Sequence, residues 1–79
     1  MPVVEQPAEL WTLRCGSNRV RCVAAPHPLG VELRYVMNDQ PLMSRVFGEW
    51  DTVAEQAEEW RARLASKGWV EALVAVPRL

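Results

Sequence analysis

Residues 9–25, ELWTLRCGSNRVRCVAA, decide the fold. The stretch alternates twice about a turn. Trp11, Leu13 and Cys15 lie on one side of the first half, with Leu10, Thr12 and Arg14 on the other. Val20, Cys22 and Ala24 oppose Arg19, Arg21 and Val23 in the second half. Period-two patterning marks a half-buried strand, and Gly-Ser-Asn between the halves is turn chemistry. The two strands form a hairpin whose register follows from parity. An even loop puts Trp11, Leu13 and Cys15 on the face of Val20, Cys22 and Ala24; an odd loop would mix Arg19 and Arg21 into the apolar set. A one-residue slip inverts a whole strand, so the loop must be even.

The same pattern continues downstream. After the break PHPLG, the segment VELRYVM turns Val31, Leu33, Tyr35 and Met37 inward and Glu32 and Arg34 outward. NDQP is a further turn. LMSRVF is a fourth strand, with Leu42 and Val46 expected on the core side and Arg45 outward. The period then changes. Trp50, Val53, Ala54, Ala57, Trp60 and Leu64 fall within a stripe of about 120° on a helix. Thr52 to Glu55 fits a capping box, with Asp51 as an alternative N-cap. Gly68 suits a left-handed helix end, which would fold Trp69 back over Leu64 as a lid.

The expected fold is therefore α+β: a four-stranded antiparallel β-meander followed by one long amphipathic α-helix packed on one face. Residues 1–8 read as an extended lead-in, 9–69 as a single domain and 70–79 as an apolar tail. The tail could be a fifth strand, a short helix or an arm on another protomer. The expected core is Trp11, Leu13, Val20, Cys22, Leu33, Tyr35, Val53, Ala57, Trp60, Leu64 and Trp69.

Composition narrows the function classes. A chain of 79 residues with 49% hydrophobic content holds a small core, burying roughly 60% of its unfolded surface. Its net charge of −1 provides no global field for nucleic acid or membranes. Charge does segregate: residues 10–47 carry five Arg against two acids, +3, and residues 49–67 carry three bases against five acids, −2. Eight of the nine basic residues are Arg, which fits the codon usage of a GC-rich bacterium and warns against reading each one as selected for binding. No apolar run approaches the roughly 20 residues of a membrane span, and the first ten residues do not read as a signal peptide. A cytoplasmic location is expected.

Chemistry-bearing motifs are sparse. Cys15, Cys22 and His27 are three candidate ligands where structural zinc takes four, usually in close pairs. Both cysteines point to the core by parity and read as inert buried thiols. His27, between two prolines, reads as a loop residue. Glu55, Glu58 and Glu59 lie on the wet side of the helix, where nothing raises a carboxyl pKa. No nucleophile elbow, phosphate loop or zinc-protease motif is present, so no catalytic residue, metal or cofactor is assigned and the chain is not read as an enzyme.

Two candidate surfaces remain. Arg14, Arg21 and Arg34 share the outward sheet face by parity, and Arg45 is expected to join them; guanidinium forks suit phosphates and carboxylates. The apolar tail, residues 70–76, is the second. The expected function is a small non-enzymatic protein-interaction module, with an unidentified protein or a second copy as partner. The alternative is a nucleic-acid binder using the Arg-bearing face. Against it, Trp11 and Tyr35 point inward, so no base-stacking platform is evident.

The run ELWTLRC…RVRC…GVELRY…SRVF…AEEWRARLASKGW resembles small bacterial proteins in which a short antiparallel sheet precedes one helix ending in Gly-Trp. The resemblance covers about residues 9–69. It implies the fold and no activity.

Overall fold

Two-residue turns set the architecture. Gly16 and Ser17 join β1 (Ala8–Cys15) to β2 (Asn18–His27), with Cys15 opposite Asn18. Gly16 has φ +63°, and Ser17 is not left-handed; positive φ at the first central residue alone is the type II′ signature, which matches strand twist. Pro28 and Leu29 join β2 to β3 (Gly30–Met37). Asn38 and Asp39, at φ 50° and 67°, form a type I′ turn into β4 (Gln40–Phe47). All three loops are even, so the inward and outward sets stay in phase across β1, β2 and β3.

The computed structural model describes residues 6–72. After Gly48, helix α1 (Trp50–Ala65) crosses one face of the sheet. The chain then returns as a short strand β5 (Val70–Glu71) antiparallel to β1, giving the sheet order β4-β3-β2-β1-β5. The α+β meander with a covering helix is thus the observed fold. Of the three conformations open for the tail, its first residues take the strand; residues 73–79 lie outside the described residues.

The core lies between sheet and helix. Cys22, Ala24, Val31, Leu33, Val53, Ala57 and Trp60 form one buried cluster, with Leu10, Trp11, Tyr35, Phe47 and Trp50 packed at its margin. Leu13 and Val20 are also buried. Three rings run through it: Tyr35 meets Trp60 edge-on with centroids 5.3 Å apart, and Trp11 meets Tyr35 edge-on at 6.5 Å. Such pairs add about 0.5–1.5 kcal/mol beyond area burial. Trp11, Tyr35, Leu64 and Trp69 are half-buried rather than fully enclosed, and Ala54 is exposed. A chain this short has too little material to bury four large side chains on every side.

The helix ends as Gly68 suggested. The Trp69 amide donates to Leu64 O at 3.2 Å and the Gly68 amide to Ala65 O at 3.1 Å, with Gly68 at φ +98°. These are the two hydrogen bonds of a Schellman motif. The start differs. The helix begins at Trp50, its N-cap is Glu49 in extended backbone, and no side chain caps it. Thr52 and Asp51 therefore sit inside the helix. Trp50 packs against the core, and that burial favours winding the helix three residues further toward its N-terminus than the capping box would.

Two bulges reset local faces. Glu9 pairs with Val23 and Trp11 with Cys22, which leaves Leu10 unpaired; it packs on the core instead of facing outward. In β4, Tyr35 pairs with Met43 but Val36 with Pro41, which leaves Leu42 unpaired. That second bulge changes the functional surface.

Candidate partner-binding surface

Directly opposed residues of an antiparallel pair share a face. Arg14 pairs with Arg19, Thr12 with Arg21, Arg21 with Val36 and Val23 with Arg34. The fold therefore brings Arg14, Arg21 and Arg34 to the face opposite the helix, as parity requires, and adds Arg19. Arg45 is not among them. Because Leu42 is the extra residue, Arg45 opposes the fully buried Leu33 on the helix side. Its guanidinium reaches Gln56 of α1 at 3.5 Å and lies 5.9 Å over the Phe47 ring. The same shift carries Val46 opposite Glu32 and leaves it 43% exposed, with Leu42 55% exposed. Neither joins the core.

Two of the four outer arginines have acidic neighbours. Arg34 pairs with Glu32 at 2.8 Å. Its hydrogen bond, with a further one from Ser44, holds the Glu32 carboxyl below the usual range despite partial burial. Arg21 lies 3.4 Å from Asp39 and 4.0 Å from Glu9, and Glu9 also accepts a hydrogen bond from the Thr12 hydroxyl. Beneath these long side chains Ala25, Val36 and Thr12 are buried although no helix covers them; aliphatic stems of charged residues commonly screen such surface. Arg14 and Arg19 differ. They oppose one another directly, and neither has an acidic partner among the described residues.

Two turns meet at one end of this face. The Asn38 amide donates to Arg19 O at 2.8 Å, its Oδ1 accepts from the Arg19 amide at 2.9 Å, and its Nδ2 donates to Asn18 Oδ1 at 3.1 Å. One side chain thus extends the β2–β3 ladder past the last paired strand residues. A polar cleft of about 270 Å³ lies there, lined by Ser17, Arg19, Arg21, Asn38 and Asp39.

The apolar surface collects elsewhere, along β4. Every residue of this strand except Phe47 is exposed, and no described element pairs with its outer edge. Leu42, Met43 and Val46 are three of the five large hydrophobic side chains exposed among the described residues. On the outer face a depression of about 270 Å³ runs between the Glu32–Arg34 pair and Pro41, Leu42, Met43 and Ser44. On the helix face a groove of about 210 Å³ has Tyr35, Met43 and Trp60 at its floor and Arg63, Leu64 and Lys67 along α1.

The cysteines part company. Cys22 is fully buried, and burial pushes its thiol up to about 12. Cys15 is exposed, which corrects the expectation that both are enclosed. Its parity is right, but the hairpin tip extends beyond the cover of the helix. The two are unpaired thiols, because Cys22 opposes Trp11 and Cys15 opposes Asn18. His27 closes its own turn, its Nδ1 accepting from the Leu29 amide at 3.1 Å. Among the described residues no three or more His, Cys, Asp and Glu side chains gather where they could hold a metal ion. No described helix is long and apolar enough to cross a membrane.

Arg19, Leu42 and Met43 were missing from the sequence-level site. Arg19 was readable from parity with Arg21. A weaker signal bears on β4: Pro41, read from the sequence as part of a turn, lies within the strand, and a proline there is confined to sheet edges and bulges. Compared with known proteins, the chain matches no family model, no curated protein and no solved structure.

Proposed function

We propose that this chain is a small, non-enzymatic protein-interaction module that engages a polypeptide along β4, in the cytoplasm. One observation carries the reading: a strand edge that no described element pairs with coincides with the exposed side chains of Leu42, Met43 and Val46. An open edge presents a row of backbone donors and acceptors ready to pair with another chain. Strand addition takes affinity from that ladder and specificity from side-chain pockets on either face. Depressions border β4 on both faces. Two unpaired thiols suit a reducing compartment.

The test is capture from extracts of the native host with the immobilised full chain. A polypeptide retained by the wild type and lost with Val46→Lys, but kept with Arg14→Ala and Arg34→Ala, supports the reading. Retention that depends on the arginines and not on β4 overturns it.

A second reading, nucleic-acid binding, is favoured by the Arg14–Arg19 juxtaposition alone. Arg21 and Arg34 have acidic neighbours and Arg45 is on the other face, so few guanidiniums remain for phosphates. Phosphate contacts make affinity fall by about 0.9 log units per log unit of salt for each contact. Salt-insensitive retention on a nucleic-acid column would dispose of this alternative.

A further inference from the structure

The β4 edge suits one particular occupant, and we propose that it is a second copy of this chain, paired antiparallel about a two-fold axis through Ser44. This rests on the interaction-module reading and names its partner. Register limits the choice. On β4, Met43, Arg45 and Phe47 oppose inner-face residues, while Ser44 and Val46 oppose outer-face ones. Opposed residues share a face, so the axis must pass through a residue rather than between two. An axis through Arg45 sets two guanidiniums against each other, which is unfavourable. An axis through Met43 places Ser44 on Leu42 and Arg45 on Pro41, and one through Phe47 leaves little strand to overlap. An axis through Ser44 opposes two small side chains. It sets Val46 against Leu42, which borders the outer-face depression, and lays the Arg45 stem on Met43.

Charge agrees with this choice. The axis is perpendicular to the sheet, so both helices lie on the same face and run antiparallel. The helix carries its acids, Asp51, Glu55, Glu58 and Glu59, before residue 60 and its bases, Arg61 and Arg63, after it. Glu58 and Glu59 already hold Arg61 and Arg63, which leaves Lys67, just past the helix end, as the base without an acidic partner among the described residues. Arg63 and Lys67 line the groove beside Met43. The two-fold brings Asp51 and Glu55, at the start of one helix, toward Lys67 at the end of the other, while each Arg45 stays beside Gln56 of its own helix. The two grooves merge over the joint, and the open edge disappears into a continuous sheet.

Sedimentation equilibrium of the full chain, from micromolar to millimolar concentration, tests the pairing. A concentration-dependent dimer is expected, with its dissociation constant raised at least tenfold by Val46→Lys while the circular dichroism and, at concentrations where both chains are monomeric, the thermal midpoint stay as in the wild type. A second measurement fixes the register and does not depend on that variant. In a Cys15→Ser background, Ser44→Cys should form a disulfide-linked dimer on mild oxidation, because directly opposed residues bring their Cβ atoms close enough for a disulfide. Val46→Cys in the same background should stay unlinked. A chain that remains monomeric throughout overturns the proposal, as does a dimer indifferent to Val46→Lys or one that links through position 46 rather than 44. A monomer that still retains a host polypeptide through Val46 would end the self-association proposal alone; a monomer with no such retention would end the interaction-module reading too.

Discussion

The indole Nε1 of Trp11 donates a 2.9 Å hydrogen bond to the carbonyl oxygen of Ala57. It ties the middle of β1 to the middle of α1. Trp11 also supplies one end of the ring series that runs through Tyr35 to Trp60. Trp11→Phe retains an aromatic ring and removes the donor. A partly buried hydrogen bond and some packing are lost together, so the expected cost is about 1–3 kcal/mol. Urea denaturation followed by tryptophan fluorescence measures it. A variant as stable as the wild type would mean that the sheet–helix tie contributes nothing.

Gly30 is the position where glycine is obligatory. A Cβ there would stand 2.1 Å from the carbonyl oxygen of Phe47, and φ is +141°. The obstacle is backbone at the far end of β4, which cannot move without breaking the β3–β4 pairing. Gly30→Ala should therefore cost about 3 kcal/mol or more. That is a large part of the roughly 4–12 kcal/mol expected of a domain this size. Gly16→Ala provides the contrast. Its φ is +63°, but nothing lies within 4 Å of the added atom, so only the left-handed penalty of about 1–2 kcal/mol applies. Thermal melts of the two variants should rank in that order.

The parts of the fold that were legible in the sequence are those governed by one period. Alternation through Trp11–Cys15, Val20–Ala24 and Val31–Tyr35, with even loops, was enough to place the inward faces of three strands. The 3.6-residue stripe gave α1, and Gly68 its ending. What stayed hidden were the irregularities. A bulge adds one residue and reverses every face beyond it, and nothing in LMSRVF distinguishes a bulged Leu42 from a regular one. The error propagated to the site: Arg45 moved to the helix side, and the exposed Leu42 and Val46 were assigned to the core. The exposure of Cys15 was hidden for a different reason. Parity determines a face, but how far the helix reaches over that face depends on packing.

Cys22 links stability to alkaline pH. Its thiol is raised from 9.0 to about 12 because burial disfavours the thiolate. Between these values the unfolded chain has lost a proton that the folded chain keeps. The stabilising contribution is therefore complete below pH 9 and lost as pH rises toward 12. Within that window the slope approaches about 1.4 kcal/mol per pH unit. Tyr35, raised first by desolvation and then by the neighbouring Cys22 charge, adds a loss of the same sign above pH 10. Urea midpoints from pH 8 to 11 should fall more steeply for the wild type than for Cys22→Ala. Parallel profiles would show that the thiol is not protected. In the native protein near pH 8, a thiol reagent should modify Cys15 alone and reach Cys22 only on unfolding.

The directly opposed Arg14 and Arg19 make a prediction about the outer face. Like charges across a strand pair are destabilising, and opposite charges contribute roughly 0.2–1 kcal/mol. Arg19→Glu converts the first case into the second without touching the helix side of the sheet. It also leaves the Arg19 backbone free to keep its two bonds with Asn38. The variant should be stabilised by about 0.5 kcal/mol at low salt, with the gain shrinking as salt is added, because exposed charges are screened over about 10 Å at 0.1 M. Chemical denaturation with urea, which adds no ions, is the suitable measurement. If Arg19→Glu instead destabilises the chain at low salt, the two guanidiniums are not in repulsive opposition. The outer face would then have to be read as a set of independently solvated arginines.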